Sequence, residues 1–300
     1  MELPTGFVET EANGFHIITR PAYFNFSREL AQRDPEALLE GGPANAATGP
    51  MEGRGRRLEM PGAGGETIIL KRQRRGGLYR RFMGDIYKDD YQSVSEVFLS
   101  ETAWKKGVPV ALLAFAMSAP AGQGRLASYR RAYVGSIKLE GARTLMEWLS
   151  IDLPATQRRA VLIAAAHAVN RAHDRGFKHG DLNLGNILVV KSAQGEYGGW
   201  LIDLQHSEMG GSLRFEPRLE NLVRLYRSAE KWLPDTRGAA SRSRDIVRFL
   251  RAYTLGEAGG ARRYLEGGAR HRASIFFHRL GWRVTGAGRV TRRSSVPTTR

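Results

Sequence analysis

The 300-residue sequence predicts a two-lobed α+β fold, with a small β-rich N-terminal lobe and a mainly helical C-terminal lobe. Three observations predict it. Short β-branched, apolar runs set off by glycine occupy the first half. An alanine-rich helical pattern followed by a two-strand unit lies in the middle. Beyond residue 217 the apolar residues recur at helical spacing. The expected divisions are residues 1–139 for the N-terminal region and small lobe, 140–282 for the helical lobe, and 283–300 for a basic, disordered tail without apolar periodicity.

In chain order, residues 41–65 are rich in Gly, Pro and Ala and read as loops around one short strand. ETIILKR at 66–72 is β-branched and apolar between Gly-rich flanks, a strand. VSEVFLSETAWKK at 94–106 reads as a helix that stops at Gly107, with Pro109 preventing continuation. RRAYVGSIKLE at 130–140 returns to strand character. Over 155–175, Val161, Ala165, Ala168 and Ala172 share one face of a helix closed by Gly176. ILVV and WLIDL then form two strands joined by the Gly-rich KSAQGEYGG, and RLENLVRLYRSAEKWL and SRDIVRFLRAYTL read as helices.

Composition narrows the function. A 42% hydrophobic content with 5 Trp, 10 Tyr and 12 Phe can fill a core. Against 30 acidic residues stand 46 Lys and Arg, a net charge of +16, which draws the protein to phosphates, anionic lipid or nucleic acid. The absence of cysteine excludes disulfides and thiolate metal sites. Glu2, Glu9 and Glu11 near the start argue against a secretion signal. The longest apolar run, VALLAFAM at 110–117, falls far short of the roughly 20 residues of a spanning helix, so membrane contact is expected to be peripheral.

Two clusters carry the chemistry: KHGDLNLGNILVV at 178–190 and WLIDLQH at 200–206. Carboxylates and carboxamides are poor strand formers, yet both clusters abut strand-like runs. Asp181 and Asn186, five apart, match the H-R-D-x-x-x-x-N catalytic loop of kinases, with Gly180 at the Arg position. Phosphoryl transfer needs a carboxylate to orient the attacking hydroxyl and take its proton, and oxygen ligands to hold Mg2+ against the triphosphate of ATP. Asp181 suits the first task, and Asn186 and Asp203 the second. His179, through a backbone hydrogen bond, and Asn183 are read as supports of the loop. Lys71 in the TIILK strand is placed to neutralise ATP phosphates, and Glu96 in the following helix to pair with it, with Glu101 the competing partner. Gly53 and Gly55 in GRGRRLEM offer a shortened glycine loop for ATP. An Asp and an Asn five apart are commonplace, and a G-x-G is often a simple turn. The succession of helix, H-G-D-L-N-x-x-N-I-L and a strand ending in I-D-L is far rarer.

Over most of residues 50–280 the chain resembles the lipopolysaccharide kinase family, whose members act on Kdo or on inner-core heptose. The resemblance is carried by GRG at 53, LKRQRRGGLYRRFMGDIY at 70–87, GVPV at 107, EGARTL at 140, HGDLNLGNIL at 179, LIDLQ at 201 and RDIVRFLRAY at 244. It implies a protein-kinase-like fold, ATP and Mg2+, a sugar hydroxyl of lipid A–core as acceptor, work at the cytoplasmic face of the inner membrane, and no nucleic-acid partner. RRGG followed by GD resembles the Kdo branch, whereas IDLQH is closer to the heptose branch. Between residues 71 and 81 lie Lys71, Arg72, Arg74, Arg75, Arg80 and Arg81 without an acidic residue. With an anionic glycolipid as substrate, Arg74 and Arg75 could dock core phosphates or Kdo carboxylates and hold the protein at the anionic leaflet; otherwise this is a solvated face. Two other readings stay open: a small-molecule kinase of the aminoglycoside or choline type, whose HGDLHPGN loop is similar, and an inactive kinase-like protein that binds acidic partners or nucleic acid. His167 and His173 fall on different helix faces, so no zinc site is expected, and His206 has no role read for it.

Overall fold

Strand alternation decides where the key lysine points. The computed structural model describes residues 3–41, 57–73, 86–87, 91–122, 128–233 and 238–270; Gly53, Gly55, Arg74, Arg75 and the basic tail lie outside these. Six strands, β1 (Val8–Ala12), β2 (Phe15–Thr19), β3 (Arg57–Pro61), β4 (Thr67–Arg72), β5 (Leu113–Pro120) and β6 (Arg130–Ile137), form one antiparallel sheet in the order β1-β2-β5-β6-β4-β3. With it belong helices α1 (Phe24–Gln32), α2 (Pro35–Gly41) and α3 (Tyr91–Lys105). One face, with Ile17, Ile68, Leu70, Phe115 and Tyr133, packs on Leu30 of α1 and Leu39 of α2. The other, with Ile18, Leu113, Ala116 and Val134, packs on Val97 of α3.

In the β4–β6 ladder Lys71 stands opposite Val134. Directly opposed residues project to the same face, so Lys71 shares the α3 side with Val134 while its neighbour Leu70 is buried on the other. A slip of one residue would turn Lys71 away from α3.

The second lobe begins with β7 (Arg143–Thr144) and α4 (Leu145–Ser150), where Thr144 and Glu147 form a reciprocal capping box. It continues through α5 (Ala155–Asp174), β8 (Phe177–Lys178), β9 (Ile187–Lys191), β10 (Tyr197–Leu201), β11 (Glu208–Met209), α6 (Phe215–Trp232), α7 (Gly238–Tyr253) and α8 (Gly260–Arg270). The β9–β10 hairpin lies directly on α5. A Cβ on Gly199 would come within 2.6 Å of the Ala164 carbonyl oxygen and 2.9 Å of the Ala168 Cβ. Small residues on both surfaces therefore set this close approach, and the alanine-rich face of α5 becomes the floor of the hairpin.

The expected strands at 66–72 and 130–140 and helix at 155–175 correspond to β4, β6 and α5. The helix expected from 94 begins earlier, at Tyr91. WLIDL does not run as one strand: β10 ends at Leu201, leaving Asp203 beyond it. Strands β1, β2, β5, β7, β8 and β11 and helices α1, α2, α4 and α8 were not expected; α2 and α8 are short, and each is held by what it packs against rather than by a long periodic pattern.

An ion pair ties α5 to α7. Arg158 Nε and Nη2 each lie 2.7 Å from Asp245 Oδ2, and both residues are buried. Such a pair is weak evidence of net stabilisation, but removing one partner strands the other charge. Asp245→Ala should therefore lower the unfolding free energy by about 3–5 kcal/mol, read from urea denaturation midpoints. A loss below about 1 kcal/mol would mean that water reaches Arg158.

Candidate active site

The segment 178–186 is a loop wired to itself and to the hairpin. His179 is buried; its Nε2 donates to the Ile202 carbonyl at 3.0 Å and its Nδ1 accepts the Asp181 N–H at 3.1 Å. Those partners require the neutral ring, and burial holds its pKa below the usual histidine value. Asn183 Nδ2 donates to both the carbonyl and the Oδ2 of Asp181, each at 3.0 Å, while its Oδ1 accepts the Gly185 N–H at 2.8 Å. Asn186 Nδ2 donates to the Asp181 carbonyl at 2.9 Å. The Asp181 carboxylate is thus oriented by its neighbours yet 60% exposed.

Gly180 is required by the backbone facing it. A Cβ there would lie 2.4 Å from the carbonyl carbon and oxygen of His206 and 2.5 Å from the Gln205 carbonyl oxygen. Its N–H donates to Ser207 Oγ at 2.9 Å. The chain after Asp203 therefore folds over the 178–186 loop, and His206 contributes its backbone to that contact. The N–H of Ile202 donates to the Asn186 carbonyl at 3.0 Å, so Asn186 and Asp203 emerge side by side. Asp203 has φ +62°, a left-handed conformation that non-glycine residues adopt at a cost and that clusters at functional sites.

Lys71 spans the two lobes. Its Nζ lies 3.0 Å from Asp203 Oδ1 and 3.9 Å from Glu96 Oε1, with the lysine side chain 28% exposed. Burial by itself would lower the lysine pKa, but the Asp203 and Glu96 carboxylates outweigh it and hold the pKa above its ordinary value. Burial raises the pKa of Glu96, with Lys71 opposing. Gln73 Nε2 and the N–H of Leu204 also donate to Glu96, joining α3 to the segment after Asp203. Glu101, the competing partner, pairs instead with Arg20 at 2.6 Å and Lys105 at 3.4 Å.

Helix α6, which the sequence did not connect with the loop, lies along it. Lys178 pairs with Glu220 at 2.8 Å. Asn221 donates to the His179 carbonyl at 3.0 Å and accepts the His179 N–H at 3.1 Å. Arg224 Nη1 is 3.3 Å from Asp181 Oδ1, and Ser228 Oγ accepts the Leu184 N–H at 2.9 Å. The one signal available was Asn221 itself, a carboxamide on the buried face of α6 beside Leu222 and Leu225.

Asn186 and Asp203 offer an amide oxygen and a carboxylate, the hard donors magnesium prefers. Among the described residues no cluster of three or more His, Cys, Asp or Glu forms a metal cage. Two protein oxygens suit a magnesium ion that keeps waters and shares phosphate oxygens, so the donor set fits.

The profile of the lipopolysaccharide kinase (Kdo/WaaP) family matches residues 48–253, more than half of the chain. The chain belongs to this family. As a lipopolysaccharide kinase it is a phosphotransferase that uses ATP. It is 28% identical over 171 residues to a 3-deoxy-D-manno-octulosonic acid kinase of Haemophilus influenzae, covering 56% of this chain and 67% of that one. It is 27% identical over 221 residues to a kinase of the same name from Photobacterium damsela subsp. piscicida, covering 71% and 85%. A solved structure of WaaP in complex with acyl carrier protein aligns with 82% of this chain and 96% of its own, at 19% identity and a TM-score of 0.48.

Behind the loop of this kinase lies a second buried histidine. His173 Nδ1 accepts from the Tyr253 hydroxyl at 2.7 Å, and its Nε2 donates to Asn221 Oδ1 at 3.2 Å. Burial pushes its pKa down to about 4, with Arg218 and His179 adding to that and Asn221 and Asp174 opposing. In this window the unfolded chain binds a proton that the folded chain refuses, so stability is complete above about pH 6.5 and falls as pH drops towards 4, by about 3 kcal/mol for this group. His173→Gln should flatten the slope of unfolding free energy against pH over that range. An unchanged slope would mean that His173 protonates in place.

Proposed function

We propose that the chain transfers the γ-phosphoryl group of ATP to a hydroxyl of the Kdo sugar of lipid A–core. The observation that carries the reading is the convergence of Lys71, Glu96 and Asp203 beside an oriented, exposed Asp181. Asp181 accepts the hydrogen bond of the acceptor hydroxyl and takes its proton, while Asn183 fixes which carboxylate oxygen faces outward. Lys71, held by Glu96, faces the phosphates. Asn186 and Asp203 hold the magnesium ion, which when bound neutralises charge on the phosphates. Kdo is favoured over heptose as acceptor by the two relatives named as Kdo kinases; the IDLQH segment favours heptose.

The proposal places the reaction at the cytoplasmic face of the inner membrane, where ATP meets the nascent glycolipid. Peripheral attachment suits a chain of net charge +16 in which no described helix is long and apolar enough to cross a membrane. Arg74 and Arg75 are proposed to dock the anionic core.

With purified protein, Mg2+ and γ-labelled ATP, label should enter lipid A–core bearing unphosphorylated Kdo. Asp181→Asn should lower turnover by at least about 10²-fold with ATP binding nearly unchanged. Transfer to aminoglycosides or choline, with none to lipid A–core, would overturn the reading.

A further inference from the structure

Nothing in the proposed reaction uses Arg224, yet its position is tightly constrained. Glu220 and Asn221, one turn before it, and Ser228, one turn after it, all bond the catalytic loop at 2.8–3.1 Å. The backbone that carries Arg224 is therefore fixed, and its guanidinium reaches the outer side of Asp181, 3.3 Å from Oδ1. The loop supplies no cation of its own there: between Lys178 and Lys191 the sequence HGDLNLGNILVV contains neither Lys nor Arg. Both members of the Arg224–Asp181 pair are more than half exposed, at 53% and 60%. Exposed pairs of this kind are weak and readily exchanged.

We propose that Arg224 is the acceptor-binding residue that selects an acidic sugar, its guanidinium receiving the acceptor's carboxylate beside the hydroxyl that Asp181 deprotonates. This rests on the Kdo reading above. The sugar named in both relatives is an octulosonic acid, which carries a carboxylate at neutral pH. A planar guanidinium pairs with a carboxylate through two parallel hydrogen bonds, which a single contact to Asp181 does not match. Binding of the acidic sugar would move Arg224 from Asp181 to the substrate and free Oδ1 to accept the hydroxyl proton. As that proton reaches Asp181, the new oxygen–phosphorus bond forms and the bond to the departing ADP breaks. A neutral heptose brings no anion and leaves the guanidinium on the base, so the same residue would favour one acceptor and disfavour the other.

The test crosses a protein change with a substrate change. Wild type and Arg224→Met are each assayed with Kdo-bearing lipid A and with its carboxyl methyl ester, measuring kcat and KM for acceptor and for ATP. In wild type, esterification should lower kcat/KM for the acceptor by at least about tenfold, through KM and kcat together, because the ester neither pairs with Arg224 nor draws it off Asp181. Arg224→Met should show a similar loss with the acid and little further loss with the ester, while KM for ATP stays within about twofold. Arg224→Lys, which keeps the charge but loses the fork, should fall between. Equal esterification losses in wild type and Arg224→Met would overturn the assignment, as would a fall in kcat with both acceptors alike, which would put the guanidinium on the transferred phosphoryl group. Failure of wild type to phosphorylate the acid form, with heptose phosphorylated instead, would overturn the Kdo reading and the assignment with it.

Discussion

One ammonium group between two carboxylates joins the lobes of this protein. Lys71 comes from the sheet, Glu96 from α3 and Asp203 from the turn after β10, and each must be correctly aimed for the three to meet. The aim of Lys71 follows from strand parity in the β4–β6 ladder, that of Glu96 from the packing of Val97 beneath the sheet, and that of Asp203 from its left-handed backbone. Burial alone would lower the pKa of such a lysine. The two carboxylates win, so the cleft keeps a protonated lysine between them.

The second lobe in turn restrains the loop that carries Asp181. A chain of buried polar groups runs from Tyr253 through His173 and Asn221 to His179 and on to Ile202. Tyr253 donates to His173, His173 donates to Asn221, Asn221 exchanges two bonds with the backbone of His179, and His179 donates to the Ile202 carbonyl, so none of these groups is left unpaired; in a dry interior a half-satisfied chain would cost more than an apolar one. The network fixes the backbone of 179–181 from behind. Asn183 and Arg224 then address the carboxylate from the front, which is the side open to substrate. The loop is rigid where it is buried and exchangeable where it is exposed.

Much of this was legible in the residues. HGDLNLGN and LIDL announce themselves because polar residues adjoin strand-forming runs, and Lys71 lies in a strand bounded by glycines. The alanine face of α5 was readable as a buried helix, though its purpose, the close seat of Gly199, depends on a hairpin brought back by the turn at 192–196. Glu96 and Glu101 were hard to separate because both are buried on α3; the choice depends on which of them faces the β4 lysine and which faces Arg20. The role of α6 was signalled only by Asn221, a carboxamide on its apolar face. Its contacts to 178–184 join residues more than 40 apart in sequence, and an exposed arginine on an amphipathic helix looks like any solvated charge.

The most direct measurement of the central claim is the mass of lipid A–core from cells whose copy of this chain is intact, against cells carrying Asp181→Asn in its place. Asp181 is proposed to orient and deprotonate one sugar hydroxyl, so the variant should yield lipid A–core lighter by one phosphate, with fragmentation locating the loss on Kdo. Identical lipid A–core from the two strains, with the variant protein present at normal abundance, would contradict the account.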